Sequence, residues 1–220
     1  MTHARGAVIL CGGASSRMGY PKWRLPFGPE RILDRIVRIT CDISTAQVLV
    51  MADPDQVVDP PHGVLLAYDC AKNRGPLEGI HSGLAAMPEG IEAVFVTSCD
   101  VPLLQPEFAS RLFELLTPDV DVVVPVDDQF HHPLAAVYRT RVASDVRELL
   151  NKNKFRPVFL FDKVATRRVN VEDLRSVDTD LASLKNLNDA ESYFAALRFA
   201  GIDVNSVPSS IIEQITKKAD

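Results

Sequence analysis

The run Gly6-Ala-Val-Ile-Leu-Cys11 stops at Gly12-Gly13, and this feature narrows the fold most. An apolar segment of strand length without polar alternation is covered on both faces, as the strands of a parallel sheet are, and the glycines release the chain into a loop. After the loop, Ile32, Leu33, Ile36, Val37 and Thr40 recur at helical spacing, with Arg31, Asp34, Arg35 and Arg38 on the other side. Further strands are expected over 47–51, 63–68, 93–98 and 121–126, with helices over 77–87 and 106–116. The alternation predicts an α/β fold, a doubly wound, mostly parallel sheet of Rossmann type in three α/β/α layers. Ligands of such a sheet lie outside the carboxyl ends of its strands.

Beyond about residue 125 the alternation loosens. A strand is expected over Pro133–Tyr138, a helix over Thr140–Leu150 and short strands over Val158–Phe161 and Val164–Asn170. Asp189 is placed to cap a helix carrying Tyr193, Phe194 and Leu197 that stops near Gly201. In the tail, Ser209 is expected to cap a short helix bearing Ile211, Ile212 and Ile215, with Lys217 and Lys218 at its C-terminal dipole.

Several function classes are disfavoured at this point. A net charge of −5, with pI ≈ 5.6 and no basic run, argues against nucleic acid as a partner. The apolar stretch Ala7–Cys11 is too short for a membrane span or a secretory signal, so a cytoplasmic protein without membrane contact is expected. Cys11, Cys41, Cys70 and Cys99 form no C-x-x-C pair and read as small buried thiols.

The loop from Gly12 to Lys22 gathers backbone N–H groups, the hydroxyls of Ser15 and Ser16 and the cations Arg17 and Lys22. Polyphosphate binding needs such groups: a glycine-permitted concavity of N–H donors, and cations for the charge on a leaving pyrophosphate. Neither the Walker A spacing nor G-x-G-x-x-G is present. Asp100 follows the apolar run 94–98, where a carboxylate suits a divalent ion on nucleotide phosphates, or a turn or helix cap. Asp69, at the end of the third strand, admits an Asx turn, and Asn186 and Asn188 project to one side if their segment is extended. The adjacent His131 and His132 point to opposite faces of a strand and read as structural or pocket-lining.

Leu10-Cys-Gly-Gly-Ala-Ser-Ser-Arg-Met-Gly-Tyr-Pro-Lys22 with Leu25-Pro-Phe-Gly28 resembles the signature of the MobA-like nucleotidyltransferases, which attach a nucleoside monophosphate to the molybdopterin cofactor. The resemblance continues in order through Gly75-Pro-Leu-Glu-Gly-Ile80, Cys99-Asp-Val-Pro102, His132-Pro-Leu134 and Asn186-Leu-Asn188, over roughly residues 6–199. It implies a single domain over 1–200, with a nucleotide half to about 125, an acceptor half over 126–200 and a tail at 201–220. It further implies nucleotide binding by Leu10, Cys11, Gly12, Gly13, Ser15, Ser16, Arg17, Lys22, Asp69, Gly75, Pro76 and Leu77. Catalysis would fall to Arg17, Lys22 and Asp100, Mg²⁺ to Asp100 and Asn188, and the acceptor to Arg156, Asn186 and Asn188. GTP and molybdopterin are the implied substrates, with molybdoenzyme maturation proteins as candidate partners.

Guanylyl members resemble this chain in reading Leu-x-Gly-Gly, whereas cytidylyl members tend to carry Ala at the first glycine. A methyl there would narrow a backbone-lined base pocket that Gly12 leaves open for a purine. Pro21 and Met51 depart from the pattern, standing where guanylyl members often have Asp and some have Asn. The alternatives are a cytidylyltransferase or other small-molecule nucleotidyltransferase, and a non-catalytic protein that binds and delivers the nucleotide or cofactor.

Overall fold

The computed structural model describes residues 4–12, 18–51, 59–71 and 74–217. Strand β1 (Arg5–Cys11) is followed by the hairpin pair β2 (Pro26–Phe27) and β3 (Glu30–Arg31), helix α1 (Ile32–Cys41) and strands β4 (Ala46–Met51) and β5 (Val64–Tyr68). Next come α2 (Pro76–Ala85), β6 (Ala93–Ser98), α3 (Pro106–Glu114), β7 (Val122–Val126), β8 (Ala136–Arg139), α4 (Ala143–Asn151) and the single turn α5 (Val158–Phe161). β9 (Thr166–Asn170), α6 (Ala190–Phe199) and α7 (Ser209–Thr216) complete the order.

The main sheet has seven strands in the order β5-β4-β1-β6-β8-β7-β9. β5, β4, β1 and β6 are mutually parallel, β8 runs antiparallel to both neighbours, and β7 pairs parallel with β9. Helices cover both faces. Ile9 and Leu49 pack in one cluster with Ile32, Leu33 and Ile36 of α1, whereas Val8 and Val50 pack on the opposite side with Leu77, Ile80 and Leu84 of α2. Alternating side chains of each strand therefore both meet helix, which is why these strands read as continuous apolar runs. At Gly83, α2 lies so close to the sheet that a Cβ would stand 2.4 Å from Val8 Cγ1.

The doubly wound, mostly parallel sheet is as expected, and four local expectations change. Val158–Phe161 is helical rather than extended, since Pro157 starts a turn whose carbonyl accepts from the N–H of Leu160 at 2.9 Å. The strand expected from Pro133 begins only at Ala136, because the N–H of Ala135 donates to the His132 carbonyl in a tight turn. Pro208, not Ser209, is the N-cap of α7, and Ser209 is its first helical residue. Cys11 and Cys99 are buried as read, but Cys41 and Cys70 are exposed; all four are free thiols. Asp189 caps α6 as expected, accepting from the N–H of Ser192 at 2.8 Å.

Candidate active site

The carboxyl ends of β1 and β6 lie side by side, with Leu10 in register with Ser98 and the Cys99 N–H donating to the Leu10 carbonyl at 2.9 Å. This pairing sets Asp100 beside the start of the glycine loop. The loop's return arm leads into a 3-10 turn over Lys22–Arg24 anchored by buried Trp23. From it Lys22 Nζ donates to Asp100 Oδ2 at 3.0 Å and to Asn188 Oδ1 at 3.5 Å. Ser98 Oγ donates to the other Asp100 oxygen at 2.5 Å, fixing the carboxylate from below. The Lys22 and Asp100 side chains are 20% and 15% exposed, so their ion pair is partly withdrawn from solvent screening yet open to a ligand.

Asn188 arrives from the far end of the chain. Its segment is held by the N–H of buried Leu187, which donates to the Asp100 carbonyl at 2.8 Å. Asn186 and Asn188 are both exposed on either side of Leu187, but only Asn188 joins the bonded group. Beneath it, Cys11 is 1% exposed; its hydrogen bond with Cys99 and its burial push the thiol up, so it stays neutral. The Leu10 side chain is buried against α2, where a Cβ on Gly79 would be 3.1 Å away, so Leu10 and Cys11 offer a ligand backbone rather than side chain. Gly12 is exposed at the end of β1. Gly13, Ser15, Ser16 and Arg17 lie outside the described residues.

A second group surrounds the start of α2. Gly75 takes φ +69° as the N-cap, and Pro76 opens the helix, where its missing N–H costs nothing. Leu77 is fully buried. Half-buried Asp69 follows β5, its N–H donating to the Met51 carbonyl at 3.0 Å, while its Oδ1 is buried without a hydrogen-bond partner. Burial, and then the Glu78 carboxylate, push its acid up to about 6. Glu78 itself is 2% exposed and faces Arg74 Nη1 across 3.6 Å.

Arg74, Gly75, Pro76 and Arg156 share the wall of a cavity of ≈ 550 Å³ with the aromatic rings of Phe130 and Phe155. Gly75, expected at the nucleotide, and Arg156, expected at the acceptor, line one cavity, with no lining residue in common with the Lys22, Asp100 and Asn188 group. His131 also lines it, its ring tilted against Phe161 at 5.4 Å, whereas His132 Nε2 pairs with Asp127 Oδ2 at 2.9 Å. The two are expected on a strand, but His131 makes only an isolated bridge to Val126 and His132 lies in the turn before β8.

Sequence reasoning did not single out Ser98, Arg74, Glu78 or the cavity's aromatic residues. A serine at a strand end and a glutamate in a first helical turn are common, and only the fold reveals that each is buried beside an aspartate, Ser98 beside Asp100 and Glu78 beside Asp69.

Among the described residues no group of three or more His, Cys, Asp or Glu is arranged to hold a metal. One carboxylate and one amide oxygen at a strand mouth nevertheless fit Mg²⁺, a hard ion that usually takes one or two protein oxygens and fills its shell with phosphate oxygens and water. No helix among the described residues is long and apolar enough to cross a membrane.

Residues 7–166 match the MobA-like NTP transferase domain. The chain is 31% identical, over 84% of its length and 90% of the relative, to a molybdenum cofactor guanylyltransferase of Desulfosudis oleivorans. Its fold is similar to a crystal structure of molybdopterin-guanine dinucleotide biosynthesis protein A from Archaeoglobus fulgidus, with TM-score 0.76, 22% identity and coverage of 90% and 98% of the two chains. It is also similar to 2-C-methyl-D-erythritol 4-phosphate cytidylyltransferase from Thermus thermophilus, with TM-score 0.64, 13% identity and coverage of 89% and 98%. By the extent of the domain match and the identity to its relatives, the chain belongs to the MobA-like NTP transferase family.

Proposed function

We propose that the protein is a molybdenum cofactor guanylyltransferase that transfers GMP from Mg·GTP to the terminal phosphate of molybdopterin and releases pyrophosphate. The observation that carries the reading is the convergence of Lys22, Asp100 and Asn188 at the mouth of β1 and β6. The names of relatives matched over most of their length supply the substrate pair.

An acceptor phosphate is already a competent nucleophile, so the protein needs no covalent intermediate. One acceptor oxygen attacks the α-phosphorus of GTP, the bond from that phosphorus to the β-phosphate bridging oxygen breaks, and its electron pair leaves with pyrophosphate. Lys22, with Arg17, meets the charge that builds on the leaving oxygens. Asp100 and Asn188 would hold Mg²⁺, which when bound screens phosphate charge. Gly12, Gly13, Ser15 and Ser16 cradle phosphate, Asp69, Gly75, Pro76 and Leu77 bound the nucleoside side, and Arg156 and Asn186 hold the acceptor. This division gives the nucleotide to the half before about residue 125 and the acceptor to the half after it. A cytoplasmic location and transfer of product to molybdoenzyme maturation proteins belong to the same reading.

The test is pyrophosphate release by the purified chain with molybdopterin, Mg²⁺ and either GTP or CTP. GTP-dependent release that falls about 100-fold or more in kcat in Lys22→Ala, with a smaller change in GTP affinity, is expected. Preference for CTP reassigns the nucleotide, nucleotide binding without turnover identifies a delivery protein, and equal kinetics in Lys22→Ala remove that lysine from the mechanism.

A further inference from the structure

The region of the chain that matches the family domain ends at residue 166, yet α7, far beyond it, touches the loop on which the proposed chemistry depends. Gln214 Nε2 donates to the Gly19 carbonyl at 2.8 Å, across 195 residues of sequence. The next residue, Ile215, is 1% exposed and belongs to the same core cluster as Met18 and Trp23, with Tyr20, Ile211 and Ile212 packed around it. The return arm of the glycine loop is therefore held at three points. Met18 before Gly19 and Trp23 after it are sunk into a cluster that α7 helps to build, and the carbonyl between them is bonded by α7 itself.

Lys22 leaves this arm one residue before Trp23 and reaches Asp100 at 3.0 Å. A flexible lysine side chain delivers its charge to a fixed point only if its backbone is fixed, because each ångström of displacement weakens the interaction and adds conformational entropy. Apolar anchoring by Met18 and Trp23 sets the depth of the arm. It leaves rotation of the peptide units between them open, and the directional hydrogen bond from Gln214 restricts that rotation.

We propose that Gln214 is a positioning residue for the transfer reaction: α7 braces the return arm of the glycine loop, and the Gln214 amide holds the Gly19 peptide so that Lys22 meets the leaving phosphate. The proposal rests on the reading of Lys22 as the residue that stabilises the leaving group. It assigns to the tail a task in nucleotide transfer rather than in folding alone.

The experiment compares Gln214→Ala and Gln214→Glu with the parent, and repeats Gln214→Ala in a Lys22→Ala background. Glutamate keeps the size of glutamine but loses the N–H donor and sets a carboxylate against a carbonyl. Both single variants should lower kcat by about three- to tenfold, the range expected for losing one partly exposed hydrogen bond, while KM for GTP changes less. In the Lys22→Ala background the same substitution should cost nothing further, because the residue it positions is gone. Unchanged kcat in both single variants, or an undiminished loss in the Lys22→Ala background, overturns the proposal. If Lys22→Ala is as active as the parent, or the parent does not turn over, the functional reading fails instead. Hydrogen exchange then still decides the brace: the amides of Met18, Gly19, Tyr20 and Lys22 should exchange faster in Gln214→Ala than in the parent, and equal exchange overturns it.

Discussion

Asp100, two residues past the end of β6, and Arg139, the last residue of the neighbouring strand β8, are both charged residues where a strand gives way to a turn, and they have opposite fates. β6 runs with β1, so Asp100 emerges at the edge where the glycine loop begins and meets Lys22. β8 runs the other way, in register from Ala93 with Arg139 to Val96 with Ala136, and carries Arg139 to the far edge. There Arg139 is 9% exposed and spends its guanidinium on the carbonyls of Val120 and Thr117, at 2.8 and 3.0 Å. Strand direction, more than residue type, decides whether a charge at a strand end is offered to a ligand or consumed in bracing a turn.

The comparison can be broken by exchanging the two outcomes. Asp100→Ala should lower pyrophosphate release about 1000-fold while leaving Tm nearly unchanged, as measured by a coupled phosphate assay and calorimetry on the same preparation. Arg139→Ala should do the reverse: a loss of about 3 kcal/mol in urea unfolding, from two hydrogen bonds made by a charged group, with kcat retained by the folded fraction. A kcat loss in Arg139→Ala beyond its unfolded fraction would erase the distinction.

A smaller effect sharpens it within the parallel strands. Gly83→Ala would normally strengthen a helix, but here its methyl meets both γ-carbons of Val8, at 2.4 and 2.8 Å. Denaturation should show a net loss of about 2 kcal/mol, overpacking outweighing the gain in propensity; a more stable variant would mean that α2 can slide on the sheet.

Asp69, proposed above to bound the nucleoside, also carries a stability cost of its own. Its acid is raised to about 6, so between the ordinary carboxylate value and that point the folded state binds more protons than the unfolded one. Its contribution to stability is full below that window and is lost as pH rises through it. Asp69→Asn should therefore be more stable than the parent by about 1 kcal/mol at pH 7, after discounting for solvent screening, and show no gain near pH 4. Urea unfolding at the two pH values checks this, and a gain at both would locate the effect elsewhere.

The same contrast explains what could be read in advance. β1, β4 and β6 are covered on both faces and announce themselves as apolar runs, and the glycines after β1 are legible from position, whereas Asp100 admits a turn or cap until the family resemblance singles it out. Val158–Phe161 is just as apolar, but four residues are too few to show a period, and Pro157 bends them into a turn. Asn188 was legible only through family resemblance, because nothing local in Asn-Leu-Asn indicates that buried Leu187 will pin the segment to Asp100. Ser98, Glu78 and Gln214 gave no signal, since their roles depend on neighbours distant in sequence.

The separation within the site has a consequence for how the protein is made. Lys22 lies 78 residues from Asp100 and 166 from Asn188, and the arm carrying it is bonded from 195 residues away. Translation proceeds at about 5–20 residues per second, so the first strands and the glycine loop exist for many seconds before their last partners leave the ribosome. A nascent chain can thus pair β1, β4 and β6 early and still lack Asn188 and the contact at Gly19, so the proposed site is completed only late in synthesis.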